Sequence, residues 1–354
     1  MTLRLASRDC LWTPFVATAV LVGTCVCGVR GHDSEGALDA PRQGLAAQYP
    51  GDRGIADDPR VLFVEDFEEA TIAGLHERWE SVGAGEQMSF SEERPEGSRG
   101  RQSLLMDRER GDAGSLYRRL TNREGGFGAD RVFARYYVRF APDCGELHHF
   151  GTCIGGNNPP TPWPSVRAGQ PTDGAKAFWS GIEPFGSAWT WDYYTYWKDM
   201  RGSPPRGQTW GNSFIHDPEL KVDRGRWICI EQMIRMNDVG KSNGEQALWI
   251  DGRPVSHLKE GEPKGLWTFD KFLPGRGGEG VRWSFAKGDR EHFTVPEDGA
   301  PFEGFEWRTV PALNVNFVWL YVYTAQPPGH RIQVWFDDVV VATEYIGPLA
   351  DQDD

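Results

Sequence analysis

The chain has few of the features that mark a metal cluster, a redox centre or a nucleic-acid surface. It has 6 Cys in 354 residues, none in Cys-x-x-Cys spacing, which excludes a zinc knuckle or thioredoxin-like motif. Acids outnumber bases, 51 to 38, for a formal charge of −13, and no basic stripe interrupts them. That argues against nucleic acid as a partner. No stretch keeps a helical period for long, so a helical bundle is excluded; "DKFLPG" (270–275) suits one short helical turn at most. The apolar run from Leu11 to Val26 falls short of the ~20 residues that cross a bilayer.

That run follows Arg4 and Arg8 and ends among small residues near Gly28 and Gly31, as an export signal does. The expectation is a signal peptide over 1–31 and a secreted or periplasmic protein with no membrane contact after its removal. The alternative is an uncleaved helix that anchors the chain. Residues 1–31 carry three Arg and one Asp, so without them the charge is −15. Cys144, Cys153 and Cys229 lie beyond it. In an oxidising compartment Cys144–Cys153 would close a short loop; the alternative is three buried thiols.

What is abundant is Gly (43), Pro (24) and Trp (15). Residues 32–59 lack periodicity and read as a flexible leader. From Val61 the pattern is strand, turn, strand. "RVFARYYVRF" (131–140) sets Arg131, Arg135 and Arg139 on one face against Val132, Ala134 and Val138. "WIDGRPV" reads as a hairpin with Asp-Gly in its turn. "FEWRTV" (305–310), "LNVNFVWLYVYT" (313–324) and "RIQVWFDDVVVATEYIG" (331–347) close the series as further strands. The expected fold is an all-β, antiparallel two-sheet sandwich or jelly roll over 60–348, with an acidic tail at 349–354. The Gly/Pro-rich stretches 154–174, 198–225 and 259–303 exceed hairpin loops and read as functional or disordered.

The two ends of that domain, "VLFVEDFE" and "VWFDDVVVATEYIG", would pair and bring Glu65, Asp66 or Glu68 near Asp337 or Asp338. Acids held close repel unless a cation lies between them. Glu65, Asp66 and Asp338 are therefore candidate Ca²⁺ ligands, against the plainer reading of an acidic edge strand. No organic cofactor is expected.

"FVEDFE", "GRWICIEQMIRMN" with "GEQALWIDG", and "VWFDDVVVATEYIGP" together resemble the concanavalin-like jelly-roll polysaccharide lyases of the alginate and glucuronan lyase type, over most of 61–348. The resemblance implies β-elimination on a uronate polymer. That reaction needs a group to neutralise the sugar carboxylate, a base for the C5 proton and an acid for the leaving oxygen. Candidates come in three clusters. "ELHHFGTCIGGNNPP" offers His148, His149, Asn157 and Asn158. "WTWDYYTYWKDM" packs three Trp and three Tyr into twelve residues. Alternation sends Trp191, Tyr193, Thr195 and Trp197 one way and Asp192, Tyr194, Tyr196 and Lys198 the other, toward a cleft. "FEWRTVPALNVNF" offers Arg308, Asn314 and Asn316.

Catalytic candidates are thus His148, His149, Tyr194, Tyr196 and Lys198. Substrate-binding candidates are Asn157, Asn158, Trp191, Arg308, Asn314 and Asn316. The expected partner is a polysaccharide, anionic if the lyase reading holds, although the chain's charge would repel one at long range. Only a local basic strip, from Arg131, Arg135 and Arg139 or from Lys198, Arg201 and Arg206, would offset that. A non-catalytic carbohydrate-binding jelly roll is the rival. A glycoside hydrolase ranks lower, because the acids Glu183, Asp192, Glu231 and Glu306 lack paired spacing.

Overall fold

The computed structural model describes residues 44–350 apart from 110, 204–205, 278, 285–288, 295–296, 298 and 325–328. The signal expected at 1–31 and the start of the leader lie outside the described residues.

The strands are β1 (Val61–Glu65), β2 (Ser81–Gly83), β3 (Met88–Ser91), β4 (Ser103–Arg108), β5 (Gly111–Arg119), β6 (Arg131–Phe140), β7 (His149–Asn157), β8 (Ala177–Phe185), β9 (Thr190–Tyr196), β10 (Trp227–Arg235), β11 (Glu245–Ile250), β12 (Arg253–Leu258), β13 (Lys264–Thr268), β14 (Lys271–Pro274), β15 (Glu279–Ser284), β16 (Asp289–Thr294), β17 (Ala300–Pro301), β18 (Phe317–Thr324) and β19 (Ile332–Ala342). One large sheet runs β12-β11-β10-β6-β19-β4-β3, with β1 also paired to β19. The other runs β2-β5-β18-β7-β8-β9. Every pairing in both is antiparallel. This is the expected all-β two-sheet sandwich.

Period-two alternation fills the space between the sheets. Val132, Ala134, Tyr136, Val138 and Phe140 of β6 meet Phe150 and Ile154 of β7 and Val318, Leu320 and Val322 of β18 in one core. The Asp251-Gly252 turn joins β11 to β12 with both residues at positive φ (51° and 72°), the backbone that a two-residue hairpin requires.

Three sequence expectations need correction. "DKFLPG" contains β14 rather than a helical turn, because Phe272 and Leu273 are buried in a hairpin with β13. "FEWRTV" makes no strand; a single bridge ties Phe305 to Gly244, and Phe305 stacks on Trp307 at 4.2 Å inside the core. Residues 44–58 are not a flexible leader. They form three short 3₁₀ turns with Leu45, Ala46 and Ile55 buried.

That segment covers the outer face of the first sheet. Leu45 and Ala46 donate to the Tyr345 and Ile346 carbonyls (3.0 and 2.8 Å), and their side chains join Phe133, Trp249 and Tyr345 in a second cluster. Burying Leu45 or Ile55 stabilises this cover by ~2 kcal/mol each. Arg135 is fully buried there. Its guanidinium pairs with Asp52 and donates to the Asp338 carbonyl. Arg131 bonds the Thr343 carbonyl and Arg139 pairs with Glu93. The alternating arginines of β6 therefore fasten segments of the chain itself and do not form a basic strip for a polymer. The outer face of the second sheet is left for loops and solvent.

Candidate functional site

On the second sheet's outer face the strand register lines up aromatic side chains. One row runs Phe317, Gly155, Trp179, Tyr196; the next runs Tyr117, Trp319, Cys153, Gly181, Tyr194. Glycines opposite large rings leave room for them. A Cβ on Gly155 would sit 2.6 Å from the Trp179 side chain. Trp179 stacks on Tyr196 (5.2 Å), and Trp319 stacks on Tyr321 (4.1 Å). Tyr194 and Tyr196 belong to this outer cluster and not to the space between the sheets. Trp191 is the reverse case. It is buried in the central core against Phe140 and Phe150 and cannot meet a substrate. Alternation from Tyr194 dictates this.

At one end of the aromatic field the face turns polar. His149, the first residue of β7, places Nδ1 3.4 Å from Oε2 of Glu183 on β8. The Phe150 N–H donates to the same oxygen at 3.4 Å. Burial raises the Glu183 carboxyl above the ordinary range, and the His149 bond opposes the rise. With Nδ1–H turned to Glu183, Nε2 keeps the lone pair of a base. The His149 ring lies 4.7 Å from that of Tyr194, 4.4 Å from that of His148 and 6.3 Å from that of Tyr323, stacked on the last. His148 keeps one side open to solvent; the partial desolvation of its other side, then the neighbouring His149, lower its pKa. The sequence reading missed Glu183 and Tyr323 as partners of His149. Their signal was alternation: Glu183 shares parity with Trp179, and Tyr323 with Phe317, Trp319 and Tyr321.

Glu183 also lies opposite Asp192 on β9. Asp192 is no second catalytic carboxylate. Its oxygens accept the Phe214, Ile215 and His216 backbone N–H groups at 2.8–3.0 Å and hold the following loop.

The 158–176 loop and residues 206–213 cover the other end of the face. The Tyr194 and Tyr196 hydroxyls meet at 3.4 Å, and both residues are over 90% buried. A Cβ on Gly211 would lie 2.6 Å from the Tyr194 ring, so only glycine lets the chain pass so close. Asn212 fastens this cover through Trp197 Nε1, Arg201 N and the Arg201 carbonyl (2.8–3.1 Å). Burial first, and the neighbouring phenol next, push the Tyr194 hydroxyl above its ordinary value.

The structure thus brings His148, His149, Tyr194 and Tyr196 together on one face. It engages the other candidates elsewhere. Lys198 lies past the end of β9, bonded to Asp199 (2.7 Å) and Glu306 (2.8 Å). Arg201 pairs with Glu303. Asn157 donates to the Tyr117 hydroxyl (2.9 Å) and is locked to Asn316 in both directions. Asn314 bonds the Phe127 carbonyl, and Asn158 the Ala175 carbonyl. Arg308 grips Asp130 through both terminal nitrogens. These polar groups are satisfied inside the protein, which is how buried amides are retained.

No family model matches the chain, and no curated protein matches it. Solved structures similar to it include the alginate lyase vAL-1 from Chlorella virus (10% identity, 80% of this chain and 99% of that one, TM-score 0.49). The marine PL-14 alginate lyase from Aplysia kurodai is similar at 10% identity over 80% and 99% of the chains, with a TM-score of 0.48. The endo-β-1,4-glucuronan lyase from the fungus Trichoderma reesei is similar at 14% identity over 80% and 95%, with a TM-score of 0.40.

The expected Ca²⁺ trio does not converge. Glu65 accepts from Phe67 N (2.8 Å) and Trp79 Nε1 (2.6 Å), and Asp66 faces Arg78. Among the described residues no three His, Cys, Asp or Glu side chains are grouped to hold a metal ion. Asp338 differs from its companions, because its Oδ2 is buried with no partner beside the buried Asp337. Burial and mutual repulsion raise Asp337, and burial raises Asp338 to about 6. Cys144, Cys153 and Cys229 are all free and buried, so the Cys144–Cys153 disulfide is not formed. Each thiol fills a packed site as a small apolar side chain does.

Proposed function

We propose that this protein is an exported polysaccharide lyase that cleaves a uronate polymer by β-elimination at the His149–Glu183 end of the aromatic face. The observation that carries the reading is the buried Glu183 carboxylate set on His149 Nδ1 of a quarter-exposed imidazole. Glu183 holds the tautomer, and His149 Nε2 takes the C5 proton. The electron pair left at C5 forms the C4–C5 double bond, and the C4–oxygen bond breaks. The departing oxygen takes a proton from Tyr323, whose half-buried ring stacks on His149. Tyr323 suits that donor role better than Tyr194 or Tyr196, whose hydroxyls are covered. His148 is the group nearest to meet the uronate carboxylate, since the strands of this sheet carry only Arg118 and Arg119, engaged with the Arg78 carbonyl and Glu80.

That scarcity of cations is also what favours the second reading, a non-catalytic saccharide-binding jelly roll. Incubation with alginate, glucuronan and a neutral glucan decides between them. The lyase reading expects ultraviolet-absorbing unsaturated ends from a uronate polymer alone. Binding without product on every polymer leaves the second reading.

A further inference from the structure

The loops that cover Tyr194 and Tyr196 carry a second set of features that elimination does not use. Trp163 is 60% exposed and Trp210 42%, the two exposed Trp of the described residues. Neither indole is loose on a wandering loop. The Trp163 carbonyl accepts from Thr161 Oγ1 (2.7 Å) and Asn157 Nδ2 (3.3 Å). Trp210 follows the Gly169–Thr209 bridge, and a Cβ on Gly169 would meet its ring at 3.5 Å. The 158–176 loop borders a depression of about 360 Å³, lined by Asn158, Thr161, Arg167, Gln170, Asp173 and Lys176 among others, with Trp163 on the same loop but outside the lining. Arg167 is exposed and has no ion pair among the described residues. The Lys176 ammonium is 82% exposed and reaches Asp173 only at 3.9 Å.

On a chain of charge −13, a guanidinium unpaired among the described residues and an ammonium held only loosely by Asp173, on a loop layer that also carries two exposed indoles, are a specific combination. Indole faces stack on the C–H faces of sugar rings, amides bond hydroxyls, and a guanidinium takes a carboxylate with two N–H groups. From this geometry we infer that the 158–176 loop and residues 206–213 form an acidic-saccharide-binding site of their own, separate from the His149–Glu183 centre. It would hold a stretch of uronate chain against the loop layer, and it requires no chemistry at His149. A protein or a neutral glycan as the occupant is what the test would otherwise return.

The test is calorimetric titration of the full chain with a uronate hexasaccharide and with a neutral β-glucan hexasaccharide. The site predicts saturable binding of the acidic sugar with quenching of Trp fluorescence. Trp163→Ala with Trp210→Ala weakens it about tenfold or more. Arg167→Gln with Lys176→Gln weakens it and flattens its dependence on salt. Near-ultraviolet circular dichroism checks that these exposed substitutions leave the fold unchanged. His149→Gln keeps this binding, so a loss of elimination and a loss of this site are separate results. Unchanged affinity in the double Trp variant, or equal affinity for the neutral sugar, overturns the inference.

Discussion

Raising the pH from 5.5 to 8 should destabilise this protein, and buried carboxylates are the cause. Glu65 and Glu231 are 0% and 2% exposed, and burial raises each from 4.5 to about 7. Glu65 sits under Trp79, and Glu231 holds the Ile346 and Gly347 N–H groups at 2.7 and 2.8 Å. The folded state then keeps a proton on each that the unfolded chain releases near 4.5. A raised folded pKa contributes stability that is complete below the unfolded value and is lost as pH climbs through the folded one. Each shift is worth ~3 kcal/mol in full, of which about 2 kcal/mol falls between pH 5.5 and 8. Glu183, Asp337 and Asp338 are raised as well and act in the same direction. His148 and His216 are lowered and act oppositely in the part of this span up to the ordinary histidine value of 6.5. The assay is the urea midpoint across this pH range at constant ionic strength. Glu231→Gln should lower stability at pH 5.5 and flatten the slope above it. A midpoint that rises with pH, or a slope that Glu231→Gln leaves intact, refutes the reasoning.

Asp52→Ala strands the buried Arg135 guanidinium and should cost ~3 kcal/mol, with faster proteolysis within 44–58 as the confirming signal. Gly211→Val drives a side chain into the Tyr194 ring and should cost ~1–3 kcal/mol, read as a lower thermal midpoint. The three thiols should resist an aromatic disulfide reagent until the protein unfolds, because all are buried and burial raises each, Cys144 to about 11. Millimolar calcium should leave the thermal midpoint unchanged, because Glu65 and Asp66 are engaged elsewhere and the Arg135 guanidinium already bonds the Asp338 carbonyl; a rise that Asp338→Asn removes would contradict this.

Alternation made the sandwich legible. The two faces of β6, the Asp251-Gly252 hairpin and the core side of "WTWDYYTYW" follow from period two and turn chemistry alone. Residues 44–58 were not legible, because three 3₁₀ turns have no period and the cover they make depends on Arg135 and Tyr345, far away in the chain. The hairpin of β13 and β14 was hidden by its short strands. At the site, alternation put Tyr194 and Tyr196 on the outer side of the second sheet, but the open cleft it implied there is filled: both lie over 90% buried beneath Gly211 and its neighbours. Alternation failed for Lys198, since β9 ends at Tyr196 and the chain turns toward Glu306. Pairing of Glu183 with His149 is a matter of register between β7 and β8, which a single strand's sequence does not carry.

The claim on which the functional account depends is that His149, oriented by Glu183, removes a proton from a uronate sugar. The direct measurement is the rate of unsaturated-product formation on glucuronan and alginate by the parent protein and by His149→Gln. The account predicts product from the parent on at least one of them and a loss of about a hundredfold or more in the variant. Equal rates in the two proteins, or a folded parent that binds the polymer and yields no unsaturated ends, would contradict it.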